Sequence, residues 1–542
     1  MEREGVAGLL AGAGVDARRY RTALGLLCGG EWWTLADLVR ATATSRRGIE
    51  ALLREASPER SGERFRLAPE QIALCRDVLG DDAARTDGGP ASSLGEAPAP
   101  GPADPVGHLL PRHSDVVEQM EKLIARAPRG RHVLDHVAAT PQTVVRRALL
   151  LGTRFWLREA RLLCVGDHDL TSLAVKMIHP ETDVTVVDVD ERILAYIDEQ
   201  AERLGFTVRT LWADLRLGLP PAARDRADLA ITDPPYTPEG VGLFVARAVE
   251  GLRDPDQGRV LLAYGAGERT PMLALKVQNS LHDLNLCYEA IYPDFNRYFG
   301  AEAIGSAADL YILRPTTKTR PAVAARADRY VTGIYTKGPQ SVEARPPAGA
   351  PAGASAAGDG FEPEVLVGDW PKDLSPRTPR ARLSTWLAKP YAAAPRRAAI
   401  AVPAGLEAAL PRLLLATRAG HVRVSTAEPL GDIAQTAEQL SPVYRLTAQG
   451  DVLSAERLDP PEDEAGRLLR AILDNAHGKL ANTWREGLIR ARPELTKKQA
   501  RAVIDEVAPW AGEVTVLELP AHRLRDLRVA VGASLAAPGS LR

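Results

Sequence analysis

Residues 162–175 read LLCVGDHDLTSLAV. Arg161 to Val165 is a short apolar run suited to a buried strand, Gly166 ends it, and a helical pattern follows over 171–178. Outward from this stretch the same alternation repeats. Asp183 to Asp188 (DVTVVD) predicts a second strand, and ERILAYIDEQAERLG an amphipathic helix after it. Phe206 to Trp212 predicts a third strand and Ala227 to Thr232 a fourth, followed by the helix GLFVARAVEGL and the strand RVLLAYG. Strands alternating with helices imply an α/β fold, a mostly parallel Rossmann-like sheet with right-handed crossovers. Ligands in such sheets bind at the carboxyl ends of the strands, where strand order reverses.

The chain has 542 residues, 45% apolar and 25% charged, with a formal net charge of -2. That balance supplies no global basic field to recruit nucleic acid or acidic membranes. No signal peptide and no apolar stretch of membrane-spanning length is seen, so a cytoplasmic protein is expected, with no membrane partner. Ala, Gly, Pro and Arg dominate and Lys is scarce, which resembles a high-GC bacterial genome. Cys28, Cys75, Cys164 and Cys287 form no C-x-x-C pair and are expected to be reduced, mostly buried thiols. No metal-ligating pattern is present, so no metal is expected.

Two segments rich in Gly, Pro, Ala and Ser, 81–105 and 345–360, read as linkers. The expected organisation is a winged-helix-like domain over 1–80, a linker over 81–106, the Rossmann-like domain over 107–320, a second linker over 321–364, and a C-terminal α/β or α+β domain over 365–542. In the first part, TLADLVRATA (34–43, Thr34 as N-cap) and SRRGIEALLREA (45–56) predict two helices, and GERFRLAPE (62–70) a wing-like hairpin. DNA binding through Arg46 and Arg47 is possible in such a module, but the few basic residues are diluted by Glu50 and Glu55, which favours a packing role. In the last part, AAIAVP, HVRVST and EVTVLEL predict strands, and no catalytic motif is found.

Four strand ends carry the candidate chemistry: Gly166-Asp167-His168-Asp169, Asp188-Val189-Asp190, Asp214, and Asp233-Pro234-Pro235-Tyr236. Gly166 permits close backbone approach to a ligand. Asp188 is placed to accept from both ribose hydroxyls, with Asp190 beside it, and Asp214 to accept from an adenine amino group. Acids near the first turn can hold an ammonium. One glycine followed by carboxylates is a poor phosphate cradle, which lowers dinucleotide and ATP readings. The D-P-P-Y run marks S-adenosylmethionine-dependent enzymes that alkylate nitrogen, and points to a class I methyltransferase-type domain. There Asp233 and the Pro234 carbonyl would aim an acceptor nitrogen, and Tyr236 would stack on the acceptor or sit over a cation.

These residues resemble the branched-chain polyamine synthase family, the N(4)-bis(aminopropyl)spermidine synthases. The resemblance covers roughly residues 107–320, about two fifths of the chain, plus the N-terminal part in outline, and rests on LDHVAATPQTVVRRALLL (134–151), LLCVGDHDLTSLAV (162–175), VVDVDERIL (186–194), ITDPPYTPEG (231–240) and YPDFNRYFGAEAIGSAADLYIL (292–313). It implies aminopropyl transfer from decarboxylated S-adenosylmethionine to an amine, with Asp188 on the ribose, Asp214 on the adenine, and Asp167, Asp169 and Asp233 on the amines. Pro234, Pro235, Tyr236, Asp294 and Glu302 would lie on the acceptor side. The family's first turn resembles Gly-Asp-Asp-Asp, so His168 is a departure. Asp135-His136, where the family has Asp-Gln, is a second. His168 could serve as a base near neutral pH, so His168, Asp169, Asp233 and Tyr236 are the catalytic candidates.

Two alternatives for the chemistry stay open, beside a regulator in which the winged helix binds DNA and the middle domain only senses a ligand. Intact S-adenosylmethionine could donate a methyl or 3-amino-3-carboxypropyl group to another amine, since His168 cannot supply a permanent negative charge. A nucleic-acid or protein methyltransferase is disfavoured by the acidic turns, because such a site needs a basic groove. A small-molecule amine substrate and a homodimer are the expected partners.

Overall fold

The computed structural model describes residues 3–13, 17–79, 104–267, 270–327, 333–338, 340–343, 360–427 and 429–537. The first expected linker lies outside these residues except for 104–106, and half of the second, 321–364, lies outside them.

The central sheet contains seven strands: Arg161–Val165 (β1), Asp183–Asp188 (β2), Val208–Trp212 (β3), Leu229–Thr232 (β4), Arg259–Tyr264 (β5), Leu286–Arg297 (β6) and Ala307–Pro315 (β7). Their order is β3-β2-β1-β4-β5-β7-β6. β7 runs antiparallel to both neighbours, β5 and β6, while β1 to β5 pair in parallel. This is a Rossmann-like sheet, and its order reverses beside β1, which puts a ligand crevice between the ends of β1 and β4. β3 and β4 each begin two residues later than the sequence predicts. Ala227 joins the sheet region only through an isolated bridge to Leu252.

Local chemistry explains the helices that frame the crevice. Pro141–Arg154 (α1) starts on Thr140, whose hydroxyl accepts from Thr143 N, with Pro141 in the first turn. Thr171–Ile178 (α2) follows the first turn. Glu191–Arg203 (α3) buries Ile193, Leu194, Ile197 and Ala201 on one face. Pro238–Gly251 (α4) repeats the Thr-Pro start, with Thr237 accepting from Gly240 N.

The N-terminal part has its own core, built on Leu24, Leu38, Ile49, Leu52 and Cys75 among others. Helices Leu35–Thr42, capped by Thr34, and Arg46–Ala56 precede a hairpin of Glu59–Ser61 and Arg64–Arg66, and Trp33–Thr34 completes a three-stranded sheet. The hairpin therefore starts before Gly62, which is its turn. This part docks on residues 294–306. Arg19 donates to Ala43 O and pairs with Asp294, and Arg40 lies over the Phe299 ring. A Cβ on Gly305 (φ 76°) would stand 2.5 Å from Ala43 O, so glycine is required for the close approach.

The C-terminal part is a six-stranded mixed sheet with helices: Val365–Val367 (β8), Arg380–Ala381 (β9), Arg397–Val402 (β10), His421–Thr426 (β11), Tyr444–Gln449 (β12) and Val452–Arg457 (β13), in the order β9-β8-β10-β11-β13-β12. The expected strand EVTVLEL is instead a short 3-10 turn at Val516–Glu518. Glu518 caps Thr515 N and also accepts from Ala222 N of the central domain at 2.6 Å, and these bonds outcompete the β-branched propensity. The C-terminal part shares one continuous apolar core with the central domain. Further ties are Arg412 to Glu191 at 2.6 Å and His522 to Asp198 at 2.7 Å.

Cys28, Cys75 and Cys164 are buried free thiols, but Cys287 is exposed, because it lies on the edge strand β6. Among the described residues, no helix is long and apolar enough to cross a membrane.

Candidate active site

A cavity of about 930 Å³ opens at the carboxyl ends of β1 to β4. Gly166, Asp167, His168, Asp169, Asp188, Asp214, Asp233, Pro234, Pro235, Tyr236 and Glu302 all line it. The sequence-predicted residues therefore converge, with two exceptions.

Asp190 does not line the cavity. Its side chain is fully buried as the N-cap of α3, where it accepts from Arg192 N at 3.1 Å and pairs with the Arg192 guanidinium at 2.5 Å. Asp294 also lies elsewhere. It bonds Arg19 of the N-terminal part at 3.1 Å, and its own N–H donates to Asp309.

The first turn is a network of backbone bonds. Gly166 sits at φ 74°, a conformation that suits glycine. Asp188 accepts from Asp167 N at 3.0 Å and Asp190 N at 2.8 Å. Asp167 accepts from Thr171 N at 2.8 Å and Ser172 N at 3.1 Å, capping α2. Burial pushes the Asp167 carboxyl up to about 7, opposed by those hydrogen bonds. Burial likewise raises Asp188. Asp214 is gripped by Arg216 through two bonds of 2.9 and 2.6 Å, and Arg216 also donates to Gly405 O of the C-terminal part at 2.9 Å.

A residue that sequence reasoning missed sits at the centre. Arg147 on α1 is 2% exposed. It donates to Asp169 at 2.8 Å, to Asp233 at 2.6 Å and to the Asn296 side-chain oxygen at 2.8 Å. Asp169 accepts additionally from Ala139 N at 2.8 Å. Asp233 accepts from the Tyr298 hydroxyl at 2.7 Å and the Tyr236 hydroxyl at 3.1 Å, and the two hydroxyls are 2.9 Å apart. Burial raises the Asp233 carboxyl to about 6 while Arg147 opposes the rise. Arg147 lies inside the quoted run 134–151, and the available signal was an arginine set among the apolar positions of VVRRALLL.

His168 is not part of that network. Its ring stacks on His136, centroids 4.4 Å apart and 16° from parallel. Burial lowers both imidazoles, His136 to about 3, so both are neutral at pH 7. The wall opposite the strands contains Ile334, Tyr335, Thr336 and Lys337. The sequence reading had assigned these to a linker.

Residues 115–326 match the model of the branched-chain polyamine synthase A C-terminal domain. The chain is 34% identical over 193 residues to an uncharacterized protein of Methanocaldococcus jannaschii, covering 35% of this chain and 48% of that one. It is 34% identical over 143 residues to an N(4)-bis(aminopropyl)spermidine synthase of Thermococcus kodakarensis, covering 26% and 41%. The crystal structure of the Thermus thermophilus branched-chain polyamine synthase, in complex with N4-aminopropylspermidine and 5'-methylthioadenosine, aligns at a TM-score of 0.40 and 19% identity, over 58% of this chain and 93% of that one. The chain thus spans about half the length of the curated relatives it matches. Residues 115–326 are thus similar to the C-terminal domain of the branched-chain polyamine synthases.

Proposed function

We propose that the protein is a transferase that moves an aminopropyl-type group from an adenosyl sulfonium, S-adenosylmethionine or its decarboxylated form, onto an amine nitrogen. The observation that carries this reading is the convergence of Asp188, Asp214 and Asp233 on one cavity at the strand ends. The relatives named as N(4)-bis(aminopropyl)spermidine synthases support the class of reaction.

In this reading Asp188 accepts from the ribose hydroxyls. Each of its oxygens holds one backbone N–H and keeps a further lone pair. Asp214 serves the adenine edge in the same way, held in place by Arg216. Gly166 lets backbone approach the nucleoside. Asp167 attracts the ammonium of the donor arm. Pro234, Pro235 and Glu302 shape the acceptor wall.

The chemical step is a displacement. The amine lone pair forms a bond to the carbon beside sulfur, the C–S electron pair stays on sulfur, and methylthioadenosine leaves. The proton lost by nitrogen goes to Asp233. Asp233, backed by Tyr236 and Tyr298, fits that task better than His168, whose imidazole is a weak base outside the network. Asp169 positions Arg147 and the Ala139 backbone. Alignment of nitrogen, carbon and sulfur supplies most of the acceleration, because the sulfonium is already a good leaving group.

The N-terminal part serves as a brace behind the cavity wall at 299–304, not as a DNA reader. Arg46 is spent on Glu50 at 2.9 Å, and the approach to Gly305 covers Thr44 and Ser45. Incubation with each donor and a panel of amines, read by mass spectrometry, tests the reading. An added aminopropyl chain, with or without a carboxyl group, and release of methylthioadenosine are expected, whereas an added methyl group would replace this reading with a methyltransferase.

A further inference from the structure

The cavity has two chemically different margins. Acids gather at the strand ends, but the margin formed by 129–138 and 334–337 carries nitrogen bases: Arg129, His132, His136 and Lys337 line it. Its one lining acid is Asp135, which is committed to Thr336, accepting from the backbone N at 2.6 Å and the hydroxyl at 2.5 Å. Those bonds tie the two segments into one rim. Among the described residues, neither Arg129 nor Lys337 has an ion-pair partner. The buried Nδ1 atoms of His136 and His168 have no hydrogen-bond partner either.

This basic rim stands against the first turn. A Cβ on Gly130 would lie 3.2 Å from His168 Nε2. If Asp188 and Asp214 hold the ribose and base, as proposed above, the alkyl arm of the sulfonium extends past the first turn towards this rim. An arm that ends only in an ammonium would meet Arg129 and Lys337 with like charge. An arm that ends in both ammonium and carboxylate would place each group opposite its complement.

We propose that the rim is a carboxylate subsite, so that the donor is intact S-adenosylmethionine and the group transferred is 3-amino-3-carboxypropyl. The inference rests on the adenosyl-transfer reading and specifies its donor. The balance is unchanged: nitrogen bonds to the methylene carbon of the methionine arm that is attached to sulfur, the electron pair of that C–S bond stays on sulfur, methylthioadenosine departs, and the nitrogen proton passes to Asp233.

The test is isothermal titration with three probes that do not react: methylthioadenosine, S-adenosylhomocysteine and decarboxylated S-adenosylhomocysteine. The wild type is compared with the double variant Arg129→Gln/Lys337→Gln, both exposed positions. In the wild type the carboxylate-bearing probe is expected to bind about tenfold more tightly than its decarboxylated counterpart. The double variant should erase that difference and leave methylthioadenosine binding unchanged. Equal or tighter binding of the decarboxylated probe, or an unaltered preference in the variant, overturns the carboxylate subsite. Failure of methylthioadenosine to bind wild type counts against the adenosyl reading itself. Product masses with amine and amino-acid acceptors then show which substrate brought the carboxylate: a donor-derived fragment supports the proposal, and transfer confined to amino-acid acceptors with the decarboxylated donor overturns it.

Discussion

Arg147 Nη2 stands 2.6 Å from Asp233 Oδ2, and the same guanidinium reaches Asp169 through Nη1 at 2.8 Å. The acidic row is therefore partly neutralised from within. Two of its carboxylates share one buried cation, and Arg147 acts as a positioning residue for Asp233. Replacing Arg147 by Met leaves both carboxylates without a countercharge and is expected to cost about 3–5 kcal/mol of stability, readable by urea denaturation. In Arg147→Ala, added methylguanidinium should restore part of the activity. A purely structural role would show no such rescue.

The pH profile follows from Asp233. Its carboxyl is raised to about 6 by burial, and only the ionised form can take the nitrogen proton. With respect to this group, kcat/KM should fall as pH drops below about 6 and be level above it. Arg147→Lys loses the guanidinium that bridges Asp233 and Asp169, so the acid limb should move to higher pH. A limb that stays in place separates Asp233 from the rate-limiting proton transfer.

Asp167 has a stability signature of its own. Its folded value of about 7 lies above the ordinary 3.8, so the native state binds this proton more tightly than the unfolded chain does. Its contribution to stability is full below the unfolded value and is lost as pH rises through the folded one. Asp167→Asn keeps an uncharged group in the pocket. Denaturation curves should therefore show the variant gaining on wild type between about pH 4 and 7 and no further above that. A constant difference across this window would contradict the raised value.

Asp190 separates structure from binding. As the N-cap of α3, its replacement by Ala should cost about 1 kcal/mol of stability while methylthioadenosine affinity stays within experimental error. Asp294→Ala should similarly loosen the Arg19 contact, seen as faster proteolysis of the N-terminal part, without changing KM for the amine.

The alternation of strand and helix around 162–175 made the sheet legible, because buried parallel strands read as short apolar runs. Strand-end acids were legible for the same reason: position after a strand places a residue in the crevice. What sequence position cannot give is which acids already have partners. Asp188 and Asp190 are two residues apart, yet one lines the cavity and the other caps a helix. Arg147 escaped notice because its partners come from β1, β4 and β6, which only tertiary structure brings to α1. Residues 334–337 escaped because a short segment flanked by low-complexity sequence carries no periodicity. EVTVLEL misled because Glu518 makes a bond to Ala222, nearly three hundred positions away.

An adenosyl cleft at the strand ends is tested most directly by equilibrium dialysis of methylthioadenosine against wild type and Asp188→Asn. Saturable binding to wild type, weakened about 10- to 100-fold in the variant, is the expected result for a charged acceptor lost from the ribose. Binding that is absent from both, or equal in both, contradicts it.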